Sequence, residues 1–426
     1  MKRAFVAIMV GSLFSYGVKI ARAQPQYSAP SGVWCSCPPT TGTGNGSVDP
    51  AVASKSYVKG ILVRVGWKDI ETADNIYNWA LIDNQISAAQ TYGKKISLAI
   101  GGGPNSPTWL YAVGAQSISY SVPFSGTIPV PWDPIFLTKW KEFVVQAGNR
   151  YSGNSTIQLV YITNSSGNGF EMQLPFNPTP SYSAIGYTDQ KMVDSWQQII
   201  DIFSTSFPNH YLTNDFHPVN SSNNVADSVY AYAKLRVGSR YGANGWWWTQ
   251  NNTSVYPAQY AILQDSTNVN AFSGIQMAYS GQTSASSFGP GGMPTALDLA
   301  ISNHIYYWEI WNNDITSGTF DTLLSNAAPP PTPTPSPIPT PSPTFSISGR
   351  VLSPTGAGLR NASVSLIDAA NTRRSTTTSS FGFYSFSGLT SGATYTLSVS
   401  SRSYRFTPRT LQISGDMSGV DLVGLE

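Results

Sequence analysis

Lys95-Ile96-Ser97-Leu98-Ala99-Ile100-Gly101-Gly102-Gly103-Pro104 is the stretch on which the fold turns. An apolar run that ends in glycine opens a dinucleotide-binding unit when the glycines follow G-x-G-x-x-G spacing and a helix begins directly after them. Here the three glycines are consecutive and Pro104 follows them. That argues against an open doubly wound sheet with a phosphate loop. Similar strand-like runs recur on either side, at Gly32–Cys37, Gly60–Trp67, Ile157–Asn164, His210–Phe216, Ala243–Trp248, Phe272–Ser280 and His304–Trp311. Between several of them apolar residues fall three and four apart. Trp79, Ile82, Ile86 and Ala89 do so, as do Phe136, Trp140, Phe143 and Ala147, and Met192, Trp196, Ile199 and Phe203. Eight strands alternating with helices over about 300 residues predict an α/β fold of the (β/α)8 TIM-barrel type.

The flanks predict the rest of the organisation. Lys2 and Arg3 precede an apolar run from Ala4 to Val18, and Ala21-Arg22-Ala23 offers small residues for cleavage. This is a secretory signal peptide over 1–23, too short to span a bilayer of ~20 apolar residues comfortably. The barrel is then expected over 24–328. Nine of the sixteen residues of 329–344 are proline. Such a run stays extended at about 3.1 Å per residue and cannot join a core, so it reads as a linker. From 345 to 426 the pattern turns to short alternating β runs broken by turn residues, the size of a small all-β sandwich. Localisation is therefore expected to be extracellular, without stable membrane insertion.

Composition narrows the partner. With 24 basic and 22 acidic residues and only 11% charged, the chain lacks the basic field that nucleic acid requires. Twelve tryptophans and 23 tyrosines suit a neutral, hydroxylated, planar-faced ligand such as a polysaccharide or oligosaccharide. Cys35 and Cys37 are the only cysteines. A tight disulfide and two buried thiols both fit the spacing, with the thiols favoured.

In a barrel, chemistry sits at the C-terminal ends of the strands. Glu309 lies in Tyr306-Tyr307-Trp308-Glu309-Ile310-Trp311, and a carboxylate among such neighbours is either functional or paired, since burying it alone is costly. Glu171 follows the fourth strand on a glycine-rich loop. Two carboxyls across an aromatic cleft are what glycoside hydrolysis requires, one to protonate the leaving oxygen and one to attack or to activate water. Arg64, within the second strand, would hold Glu309 ionised. An Arg64–Glu309 salt bridge without catalytic role is the alternative. Trp67, Trp109, Asn164, Asp215, His217, Trp248, Gln276, Tyr279 and Trp311 stand near strand ends as substrate contacts. Asp215-x-His217 can also bind metal, but with three histidines in the chain and no His-x-His pair, no metal or other cofactor is expected. For Trp246-Trp247-Trp248, at most two rings can share a face of a strand.

Arg64-Val65-Gly66-Trp67-Lys68-Asp69-Ile70-Glu71, Tyr77-Asn78-Trp79 and Leu81-Ile82-Asp83 resemble the W-x-x-I-E…G-x-Y-x-W-x-x-(L/I)-D stretch of clan A glycoside hydrolases, including β-galactosidase-like families. The resemblance implies an acid/base after strand four, matched by Glu171, an arginine on strand two, matched by Arg64, and a retaining mechanism. The sequence departs from the pattern twice. Phe170 stands where asparagine precedes the acid/base, and Glu309 falls on strand eight rather than seven. The region from Phe345 to Val423 resembles the carboxypeptidase regulatory-like β-sandwich, through Ile347-Ser348-Gly349-Arg350-Val351 and Phe381-Gly382-Phe383-Tyr384-Ser385-Phe386. That likeness implies a spacer or adhesion role, with possible cell-surface or matrix contact.

Overall fold

The computed structural model describes residues 28–39, 47–121, 125–327, 344–369, 372–390 and 392–425. The expected signal segment, and the linker up to residue 343, lie outside the described residues. Thr344, counted with the linker from sequence, instead opens the first strand of the C-terminal unit. The described residues fall into two compact units, one before and one after the proline-rich run.

In the first unit eight parallel strands close into a barrel. They are β1 (Gly32–Ser36), β2 (Val58–Gly66), β3 (Lys95–Gly101), β4 (Ile157–Tyr161), β5 (Tyr211–Asp215), β6 (Tyr241–Trp248), β7 (Phe272–Met277) and β8 (Tyr307–Trp311). β1 pairs with both β2 and β8, which closes the ring. Every run read as a strand is one, so Glu309 lies on β8. The three segments with helical spacing are α1 (Ala80–Thr91), α2 (Pro134–Tyr151) and α3 (Asp189–Ser206). α2 starts where Asp133 accepts hydrogen bonds from the Ile135 and Phe136 amides, with Pro134 in the first turn, where its missing N–H costs nothing. Thr188 caps α3 through the Lys191 amide.

Two cores result. A large cluster fills the layer between strands and helices and takes in Trp140, Phe143, Trp196, Ile199, Trp247 and Trp248. A smaller one fills the barrel with Trp34, Leu62, Leu159, Tyr161, Trp246, Phe272 and Tyr307. The strands are buried on both faces, which is why they read as continuous apolar runs.

Cys35 and Cys37 form a disulfide, correcting the preference for free thiols. Alternate Cα atoms on a strand lie about 6.6 Å apart. β1 ends at Ser36, the chain bends, and the two Cα atoms come to 5.2 Å, within disulfide reach.

The C-terminal unit has two sheets. In one, Phe383–Thr390, Thr344–Leu352 and Leu422–Val423 lie side by side. In the other the order is Arg373–Thr377, Ser363–Asp368, Thr394–Ser400 and Arg409–Gln412. Ile347, Val364, Leu366, Phe386, Leu397 and Ile413 form the core between them.

Candidate active site

At the C-terminal end of β3 the consecutive glycines have a structural task. A side chain at Gly103, where φ is +54°, would meet the Ser166 carbonyl oxygen at 2.2 Å, and one at Gly169 would meet that of Gly102 at the same distance. The loop after β4 therefore lies directly on the loop after β3, tied by a Gly102 N–H to Gly169 carbonyl bond of 3.1 Å. Asn168 Oδ1 accepts from the amides of Phe170 and Glu171 and turns the chain back over the mouth. Phe170 comes to rest 6.3 Å from Trp246, a ring of the barrel interior. This is how Glu171 is carried inward from a loop.

Glu171 meets residues from β5. Asp215, the last residue of that strand, accepts from the Trp246 amide through Oδ1 and from His217 Nδ1 through Oδ2, at 2.7 and 2.5 Å. That fixes the tautomer and turns Nε2 outward, 3.9 Å from Glu171 Oε2. Asp215 and His217 are buried, while the Glu171 side chain keeps a quarter of its surface exposed. Burial raises the Glu171 carboxyl, with Asp215 adding to the rise and His217 opposing it. Burial acts to lower the His217 imidazolium, but Asp215 and Glu171 together outweigh it, so the net shift is upward. Ligand atoms of Glu171, Asp215 and His217 lie within 4.8 Å of one another. Because His217 Nδ1 is already bonded to Asp215, a metal here would find only His217 Nε2 and Glu171 free of that bond, too few for a cage.

Glu309 lies deeper and is fully buried. Its Oε1 accepts from Tyr161 at 2.7 Å and from Tyr307 at 2.5 Å, and Oε2 has no hydrogen-bond partner. Burial pushes this carboxyl up to about 7, against the opposing pull of the two phenols and Arg64. Arg64, expected from sequence to hold it ionised, does pull this carboxyl downward, but by less than burial raises it. Among the described residues no ion pair joins the two. The guanidinium instead lies between the rings of Trp246 and Trp311, 5.9 and 5.8 Å from their centroids, and donates to the Cys37 carbonyl at 2.7 Å. Desolvation, a stronger influence than the distant Arg64 charge, decides the outcome.

The remaining expected contacts divide. Gln276 is beside Glu309 in register and accepts from Ser36 at 2.7 Å. Trp311 flanks Arg64, and Tyr279 is exposed on the loop after β7. Three tryptophans are elsewhere. Trp67 is fully buried in the outer layer and donates to Glu71 at 2.6 Å. Trp109 packs edge-on against it and donates to the Glu71 carbonyl. The glycosidase-like W-x-x-I-E stretch is thus a structural corner in this chain. Trp248 donates to the Ala296 carbonyl on the helix side. Asn164 turns toward α3, where it donates to Ser195. Trp246, rather than Trp248, faces the mouth, because the β6–β7 register shifts between Gly245 and Trp248 and breaks the alternation of faces. Sequence reasoning also missed Tyr161, Tyr256 and Tyr307, although Tyr307 stands two residues from Glu309 and so on the same strand face.

Residues 346–423 match the family model of the carboxypeptidase regulatory-like domain. The regulatory-like domain therefore spans nearly all of the C-terminal unit. Among solved structures, the catalytic domain of β-amylase from Paenibacillus polymyxa is similar with a TM-score of 0.47 and 12% identity, over 71% of this chain and all of that one. A glycoside hydrolase is similar with a TM-score of 0.44 and 9% identity, over 67% of this chain and 89% of that one. A comparison with curated proteins gave no match. At this level the likenesses assign no residues.

Proposed function

We propose that the barrel is a glycoside hydrolase acting on a β-linked polysaccharide, with Glu171 as acid/base and Glu309 as nucleophile. The observation that carries this reading is a pair of carboxyls, Glu171 and Glu309, both within electrostatic reach of Arg64 and on unlike supports. Glu171 is partly exposed and faces His217. Glu309 has one oxygen fixed by two phenols and the other without a partner. Protonated Glu171 gives its proton to the glycosidic oxygen as that bond breaks, while Glu309 in its carboxylate form, populated as pH reaches and passes about 7, bonds through Oε2 to the anomeric carbon. Water then attacks this carbon, returns a proton to Glu171 and releases Glu309. Asp215 orients His217, which tunes Glu171. Arg64, Trp246, Gln276 and Trp311 shape the floor on which the sugar rests. Secretion, and surface contact through the regulatory-like domain, belong to the same proposal.

A second reading has one observation in its favour. Glu309 has no exposed surface, so a sugar must open the floor to reach it. A barrel that binds glycan without cleaving it fits that burial. Incubating purified protein with a panel of plant and microbial polysaccharides and measuring new reducing ends separates the two. Turnover that disappears in Glu171→Gln supports the hydrolase. Saturable binding without any release of ends supports the second reading.

A further inference from the structure

Beside Glu171 the mouth opens into a groove of about 1050 Å3. Its walls are the loop after β4, from Gln173 to Tyr182, the loop after β5, from Pro218 to Asn223, and the stretch from Val255 to Gln259 after β6. Its lining adjoins Glu171 and His217 along the chain and in space. Gln173 is two residues from Glu171, Pro218 adjoins His217, and the Tyr256 ring sits 5.4 Å from the His217 ring.

Three features describe what fits there. No lining residue carries a formal charge at neutral pH, and amide and hydroxyl side chains alternate with the rings of Phe176, Tyr182 and Tyr256. The volume is at the top of the usual ~300–1,000 Å3 of a small-molecule pocket, with room for more than one small ring. Phe176 is 59% exposed and offers a ring face to the groove. The walls are also set rather than slack. Asn177, Asn220 and Ser221 are three of the six non-glycine residues with positive φ among those described, and all three line this groove. Such conformations cost energy and persist where surrounding structure fixes them, often at ligand sites.

We infer that this groove binds an uncharged oligosaccharide chain, several sugars long, extending from the bond at Glu171 toward the loops after β4, β5 and β6. Amides and hydroxyls match sugar hydroxyls, and the aromatic rings offer stacking faces. A uronic-acid polymer would bring carboxylates that no groove residue can pair, so acidic glycans are selected against. The inference rests on the hydrolase reading for the position of the scissile bond, but binding can be measured apart from turnover.

The test uses the full-length Glu171→Gln protein, which holds substrate without cleaving it. Calorimetric titration with β-linked gluco-, manno- and xylo-oligosaccharides of increasing length is compared with oligogalacturonides of the same lengths. For one neutral series, affinity is expected to rise roughly tenfold or more with length before levelling, and the acidic series is expected to bind at least tenfold more weakly. Adding Phe176→Ala, a change at an exposed ring that leaves the melting temperature in place, should lower the affinity of the longest neutral chain roughly tenfold. Length-independent binding, equal binding of the acidic series, or no binding of any series overturns the groove assignment. Wild-type turnover on the same panel is read separately. Hydrolysis without length-dependent binding removes the groove and leaves the enzyme. Length-dependent binding without hydrolysis does the reverse.

Discussion

Replacing Glu309 with glutamine should make the barrel more stable at alkaline pH while abolishing its chemistry. In the unfolded chain this carboxyl titrates near its ordinary 4.5, and in the fold burial raises it to about 7. Between those values the folded protein holds a proton that the unfolded chain has released. The associated stability is fully present below pH 4.5 and is lost as pH rises through about 7. At about 1.4 kcal/mol per tenfold change, the difference comes to about 3 kcal/mol at pH 8. Glutamine cannot ionise, keeps the shape, and can still accept from Tyr161 and Tyr307. Its amide replaces an oxygen that already lacks a partner. Thermal melts of wild type and Glu309→Gln at pH 5 and pH 8 should therefore nearly coincide at the lower pH and separate at the higher, with the variant several degrees more stable. Turnover should fall by several orders of magnitude. A variant less stable at pH 8 by ~3–5 kcal/mol would mean that a buried ion pair had been broken and that Arg64 does hold the charge. Near-normal turnover would remove Glu309 from the mechanism.

Five further outcomes are expected. His217→Asn removes the cation that opposes the rise of Glu171, so the alkaline limb of the kcat/KM profile should move to higher pH, and an unmoved limb refutes the coupling. Trp248→Ala should cost roughly 3–5 kcal/mol of stability in a denaturant melt without changing KM in the surviving fold, since its ring faces the helices. Trp246→Ala should instead raise KM; the opposite pattern would reverse the assignment of faces. Proton NMR of the first-formed anomer should show retention, and initial release of the inverted anomer would make Glu309 a general base acting through water. Truncation after Ala327 should leave a cooperative melt with hydrolytic activity intact, and loss of either would show that the two units depend on each other.

The barrel was legible because each of its strands is buried on both faces and so stands out as a compact apolar run. Glu309 and Glu171 were legible for a related reason, as carboxylates placed where burial makes them expensive or where a strand hands over to a loop. Face assignment was harder. A one-residue irregularity in β6 sends Trp246 inward and Trp248 outward, and no composition signal marks it. Trp67 and Trp109 looked like cleft residues because they follow strand ends, yet Glu71 draws both indoles into the outer layer. The fate of Arg64 depended on competing magnitudes, desolvation against a charge at a distance, which spacing along the chain does not reveal. Tyr256 lay too far from any strand end to be listed with the mouth, and only the packing of the loops brings it to His217.

The bond between Cys35 and Cys37 has an effect out of proportion to its size. A cross-link that spans one intervening residue closes the smallest of loops and takes little freedom from the unfolded chain. What its small ring constrains is the backbone at Cys37, whose carbonyl oxygen accepts from the Arg64 guanidinium that lies by two indole rings. The linkage works less as a rivet than as a setscrew on the floor of the mouth. A mild thiol reductant should thus loosen the grip on substrate well before it lowers the melting point.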